Sequence, residues 1–171
     1  MSLYIGIDPA PVLQHTACLL IDPNMKQTRM LSIPSLLNPD VLKTVKAVGI
    51  EMPISRGAGS GFSSVWNMHQ NAVILATMLV MLGALVYATD ANVIRSQVCG
   101  WPLRDGRGKI IKGTFDPWWY RELPNRGWIV GKGTVLGQSG KPWVDRRDAL
   151  AAGLFTTSHP TLIKQYLWEL P

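Results

Sequence analysis

The chain has 171 residues, 47% of them hydrophobic, and 17 Lys and Arg against 11 Asp and Glu give a net charge of +6. That size and apolar content suit one globular domain over residues 1–171, large enough to bury a core without disulfide staples. Cys18 and Cys99 lie far apart in apolar surroundings, match no disulfide or metal-ligand spacing, and read as buried thiols of a reducing cytoplasm. No basic stretch followed by an apolar run opens the chain, so no secretory signal is expected.

Leu3 to Asp8 (LYIGID) reads as a strand and Thr16 to Ile21 as a second, joined by a turn holding Pro9, Ala10 and Pro11. Asp22-Pro23-Asn24 is a turn signature, and a third strand near Gln27 to Ile33 completes a meander. Asn38 caps a short helix over Val41 to Lys46, with Pro39 at its first position. Ala47 to Glu51 is a strand closed by Pro53. The tract Ser55 to Ser64 (SRGAGSGFSS) carries three glycines and four serines and reads as a loop.

The polar turns from Ser63 to Asn71 open a long helix that continues through the apolar run Ala72 to Ala88. That run falls short of the roughly 20 residues a bilayer needs, so a helix buried on all sides is expected and no membrane span. A helix of this kind in a small protein calls for a partner chain to cover it, which points to a dimer. Asn92 to Val98 reads as a further strand and Asp145 to Phe155 as a closing helix with acids in its first turn. The expected fold is a mixed five-stranded α/β sheet, three antiparallel strands leading into parallel ones, with helices on both faces.

Arg95 to Lys141 holds nine Lys or Arg against Asp105, Asp116 and Glu122, so the whole net charge lies there. Four of the seven tryptophans (Trp101, Trp118, Trp119, Trp128) lie there too, and Trp143 follows two residues after it. Two readings stay open: a groove for a polyanion with stackable bases, or a solvated basic surface over packed aromatics. Under the first, Arg104, Arg107, Lys109, Lys112 and Lys132 are candidate nucleic-acid contacts.

Strand parity makes the acids informative. Asp8 shares a face with Gly6, and Glu51 with Gly49, so each carboxylate follows a glycine that clears one side of the sheet for a ligand or a close-packed backbone. Asp145 and Asp148 stand three apart on one helix face. Alone, that pair is an N-cap with a dipole-friendly acid. Together, four acids at a sheet edge would repel one another without a cation among them. Oxygen ligands of this kind suit Mg²⁺ or Mn²⁺, and two such ions support phosphodiester hydrolysis. Asp22, by contrast, has no glycine clearing its face and reads as a turn former.

Ile5-Gly6-Ile7-Asp8-Pro9, Gly49-Ile50-Glu51 and Asp145-Arg146-Arg147-Asp148-Ala149-Leu150-Ala151 together resemble the RuvC-type Holliday junction resolvases of the ribonuclease H-like superfamily. The resemblance implies a homodimer that cuts two opposed strands of a four-way DNA junction with two Mg²⁺ ions per site, leaving 5′-phosphate and 3′-hydroxyl ends. It implies Asp8, Glu51, Asp145 and Asp148 as metal ligands, the Val65–Tyr87 helix as the dimer contact, and a preceding loop that enters the junction. In that loop Arg56 would meet a phosphate and Phe62 would act as a stacking wedge. The Gly- and Trp-rich stretch before the last helix departs from the basic helix of cellular members and points to a phage or mobile-element relative.

Three rivals share the architecture. Actin-like ATPases and sugar kinases need a phosphate-gripping turn after the first strand, where Pro9 and Pro11 lack the amide donors. A non-catalytic nucleic-acid-binding module would be weakened by four acids in register. A nuclease for flaps, other branched DNA or RNA/DNA hybrids stays open.

Overall fold

The computed structural model describes residues 2–53, 62–111, 113, 115–128 and 144–158. Five strands, β1 (Leu3–Asp8), β2 (Ala17–Asp22), β3 (Gln27–Met30), β4 (Val45–Glu51) and β5 (Val86–Thr89), form one sheet in the order β3-β2-β1-β4-β5. β1, β2 and β3 pair antiparallel, whereas β4 runs parallel to both β1 and β5. The expected mixed sheet is therefore present.

Residue alternation along the strands divides the core into two layers. Ile5, Ile7, Cys18, Val48, Ile50 and Val86 point to one side, where Ala72, Leu75, Ala76 and Leu79 of helix α3 (Phe62–Met81) cover them. Ala17, Leu19 and Ile21 point to the other, beneath α5 (Phe115–Asn125) and α6 (Val144–Ser158). Helices flank both faces, as expected.

Local chemistry sets the turns. Asp22 Oδ1 accepts from the amides of Asn24 and Met25 at 3.0 and 3.1 Å, the turn-forming role expected of it. β3 ends at Met30, earlier than expected, because Ser32 caps a short helix α1 (Ile33–Leu36). Asn38 caps α2 (Pro39–Leu42), its Oδ1 accepting from Asp40 N at 2.9 Å. The helix expected over Val41 to Lys46 stops at Leu42, and Val45 and Lys46 already belong to β4.

The apolar run from Ala72 to Ala88 is two elements, not one. α3 ends at Met81, and Gly83 takes a left-handed φ of 83°. Ala84 N then donates to Leu79 O and Gly83 N to Val80 O, both at 2.9 Å, a glycine-terminated helix end. The chain thereafter runs as β5, so the helix expected over Val65 to Tyr87 begins at Phe62 and is shorter. The strand expected over Asn92 to Val98 is helical instead: Asp90 caps α4 (Ala91–Ile94) by accepting from Asn92 N at 2.7 Å, and a π turn, Arg95–Cys99, follows.

α3 is also not buried all round. Trp66, Ile74, Met78 and Met81 are 50, 47, 40 and 78% exposed, and Leu82 and Leu85 extend the uncovered apolar surface. No helix among the described residues is long and apolar enough to cross a membrane. Residues 54–61, most of the loop expected over Ser55 to Ser64, lie outside the described residues, while Ser63 and Ser64 are already helical.

Candidate active site

Asp8 and Glu51 are the last residues of β1 and β4. The strands are parallel neighbours with Gly6 opposite Gly49 and Ile7 opposite Ile50, so the two acids leave the sheet at the same edge, one residue beyond the last pair. Asp8 is only 8% exposed, and Glu51 is half-buried.

The glycines serve a close backbone approach. A Cβ on Gly6 would land on the Ala149 carbonyl and lie 2.8 Å from Gly153 N; one on Gly49 would land on the Ala152 carbonyl. α6 therefore rests its backbone directly on β1 and β4, through Ala149, Ala152 and Gly153 on one helical face. Asp148, immediately before Ala149, is carried to the same side of the sheet and is 6% exposed. The backbone of Asp145 lies in the first turn of α6; its side chain lies outside the described residues.

Asp148 has a partner that the sequence did not suggest. Arg95, in the π turn, brings Nη2 to 3.3 Å from Asp148 Oδ2 while its guanidinium lies 4.5 Å over the Phe115 ring. The Cys18 thiol is pushed up to about 12 by burial first and by the Asp8 charge second, so it stays protonated at neutral pH and is no soft ligand beside the acids. Among the described residues, no group of three or more His, Cys, Asp or Glu is spaced to hold a metal ion.

Two further side chains fix the ground around the acids. Asn71 of α3 donates Nδ2 to the carbonyls of Ala10 and Pro11 at 2.8 and 3.2 Å, tying down the turn that follows Asp8. His69 Nδ1 lies 3.0 Å from Pro53 O, just past Glu51, with its ring stacked on Trp66. Both belong to the polar opening turns of α3, whose value the sequence showed only as a helix start. His15 is exposed in a 3₁₀ turn.

The basic segment resolves into two parts. Arg104, Arg107 and Lys109 are exposed on a small hairpin, where Arg104 pairs with Ile110 and Ile111 N donates to Leu103 O at 2.8 Å. Asp105 Oδ1 accepts from the amides of Arg107 and Lys109, each at 2.9 Å, so the one acid of the tip caps its own exposed turn. The tryptophans mostly pack: Trp119 and Trp128 are 0 and 4% exposed, and Trp101 and Trp118 join Phe115 at ring separations of 5.4 to 6.2 Å. Arg126 lies 4.9 Å over Trp119 and donates to Val98 O and Cys99 O, which makes it structural. Arg56, Lys112, Lys132 and Trp143 lie outside the described residues, as does the side chain of Phe62.

A mixed sheet ordered β3-β2-β1-β4-β5, with α3 on one face and α6 on the other, is a ribonuclease H-like fold. Within it, the chain is similar to two solved RuvC structures. One is Thermus thermophilus RuvC in complex with Holliday junction substrate, at TM-score 0.53 and 16% identity, covering 95% of this chain and 96% of that one. The other is the Thermus thermophilus RuvC structure, at TM-score 0.52 and 17% identity, covering 97% and 98%. No protein-family model and no curated protein matches the sequence. The likeness is one of fold.

Proposed function

We propose that the protein is a Mg²⁺-dependent endonuclease that resolves four-way DNA junctions, acting as a homodimer. The observation that supports this reading is that Asp8 and Glu51 end neighbouring parallel strands while α6, which carries Asp148, rests its backbone on the paired glycines Gly6 and Gly49, although these acids are not spaced as a ready-made metal cluster. The RuvC solved with a Holliday junction shares the fold across nearly the whole chain.

The donor set suits a hard cation: carboxylate oxygens, with both thiols, Cys18 and Cys99, held protonated by burial. Asp8, Glu51 and Asp148, with Asp145, are the residues that would hold Mg²⁺, or Mn²⁺ in its place. Bound in a pair, such ions would supply an activated water and charge stabilisation for phosphodiester hydrolysis. The chain supplies the rest. Asp8 and Asp148 are shielded from bulk water, Arg95 orients Asp148 through Oδ2, and Asn71 holds the Ala10-Pro11 turn against α3. Arg104, Arg107 and Lys109 provide an exposed cationic tip for phosphates.

The uncovered stripe of α3, Trp66, Ile74, Met78 and Met81, is the surface on which a second copy would close. Two copies give two sites for two strands. One observation favours a second reading: the ion pair already neutralising Asp148 fits a non-catalytic DNA-binding module of the same fold.

Asp8→Asn separates the two. It should abolish Mg²⁺-dependent cutting of a synthetic four-way junction while leaving binding in Ca²⁺ intact. Undiminished cutting refutes the assigned site, and a wild type that binds but cuts neither junction, flap nor duplex supports the binding module.

A further inference from the structure

Arg95 belongs to two places at once. Besides meeting Asp148, it lines a cavity of about 350 Å³ whose other walls are Asn92, Val93, Ser96, Trp101 and Pro102. Arg95 thus links the cavity to Asp148.

Its walls have a definite chemistry. Trp101 is half-buried and braced by Phe115, edge-on at 5.8 Å, and by Trp118 at 5.4 Å, so its indole is held in place. Val93 and Pro102 add apolar surface. Asn92 and Ser96, four residues apart and both exposed, add polar groups: a carboxamide that donates and accepts, and a hydroxyl that donates to Val93 O at 3.1 Å and keeps its oxygen as an acceptor. Arg95 is the charged group of the lining, and no acid stands among the described residues there.

A braced aromatic ring, polar groups at the rim and a cation on the side of the acids suit a flat heterocycle joined to a phosphate. The volume lies at the small end of ligand pockets, which begin at about 300 Å³. That is room for one base rather than a run of them.

We infer that this cavity takes a single nucleobase of the DNA strand lying at the acidic edge, stacked on Trp101 with its phosphate towards Arg95. The inference rests on the DNA-cutting reading and extends it, because a base seated beside the cut makes Asn92, Ser96 and Trp101 a source of sequence preference. Unstacking a base is cheapest at a branch, where neighbours are already strained or unpaired.

The test uses the full chain and four-way junctions carrying 2-aminopurine at successive positions around the branch, in Ca²⁺. Wild type should change the emission at one position. Trp101→Ala and Ser96→Trp should abolish that change and weaken binding about tenfold, as expected for losing a stacked base, while Trp101→Phe keeps most of it. Because Trp101 also packs on Phe115, far-UV circular dichroism checks its folding; Ser96 is exposed, so the blocking variant tests the cavity independently. Emission changes that are the same in wild type, Trp101→Ala and Ser96→Trp overturn the inference. A wild type that shows the Trp101-dependent change but does not cut in Mg²⁺ sustains the cavity and overturns the nuclease reading; one that binds no DNA overturns both.

Discussion

A methyl group added at Gly6 has no free volume to enter. Its Cβ would meet the Ala149 carbonyl and stand 2.8 Å from both Ala149 C and Gly153 N, all backbone atoms of α6 that cannot rotate away. Overpacking costs about 1–3 kcal/mol, and a rigid obstacle puts Gly6→Ala at the top of that range, about 3 kcal/mol. For a chain of this length that lowers the melting temperature by about 10 °C. Relief requires α6 to lift, and Asp148 lifts with it. A misplacement of about 1 Å costs on the order of a hundredfold in rate, so junction cutting should fall that far at a temperature where the variant is still folded. Gly106→Ala is the control, since a Cβ there meets nothing within 4 Å and should change stability by less than about 0.5 kcal/mol. Thermal melts and single-turnover cutting read the two effects separately. A Gly6→Ala protein with wild-type melting temperature would show that α6 does not rest on the sheet and would refute the reasoning.

Other outcomes follow from the packing. Arg95→Met removes the ion pair to the buried Asp148 carboxylate, so denaturant titration should show a loss of about 2 kcal/mol. Burial raises both thiols, Cys18 and Cys99, from 9.0 to about 12. The protonated form is favoured in the fold, so their contribution to stability is complete below pH 9.0 and is lost as the pH rises towards about 12; melts across that window should fall, and Cys18→Ala should flatten the fall. Ile74→Glu and Met78→Glu place charge on the exposed α3 stripe, and sedimentation should report a dimer for wild type and monomer for both variants.

The acids at the sheet edge were legible because strands have a period of two and because glycine is conspicuous. Gly6-x-Asp8 and Gly49-x-Glu51 announced an approach, though not that a helix backbone makes it. The same kind of signal was present at Gly83, where a left-handed residue ends α3, but hydrophobicity alone does not distinguish an apolar helix from an apolar strand. Once β5 was hidden in that run, the next apolar stretch, Asn92 to Val98, stood in for it, although Asp90 is an ordinary N-cap. Asp105-Gly106 is likewise a hairpin signal, submerged in the surrounding charge. Arg95 was counted only as part of a basic surface. Its pairing with Asp148 spans 53 positions, and no local pattern encodes a contact made by tertiary packing.

The rigid seat of α6 on β1 also governs when the acidic edge comes into existence. Asp8 is made well before Asp148, and the contact joining their elements is among the least local in the fold. A growing chain that has produced β1 and β4 still has Gly6 and Gly49 bare, with no third carboxylate above them. The constellation is therefore absent from partly synthesised or partly folded protein. It forms only on completion of the tertiary structure, when α6 seats on the two glycines.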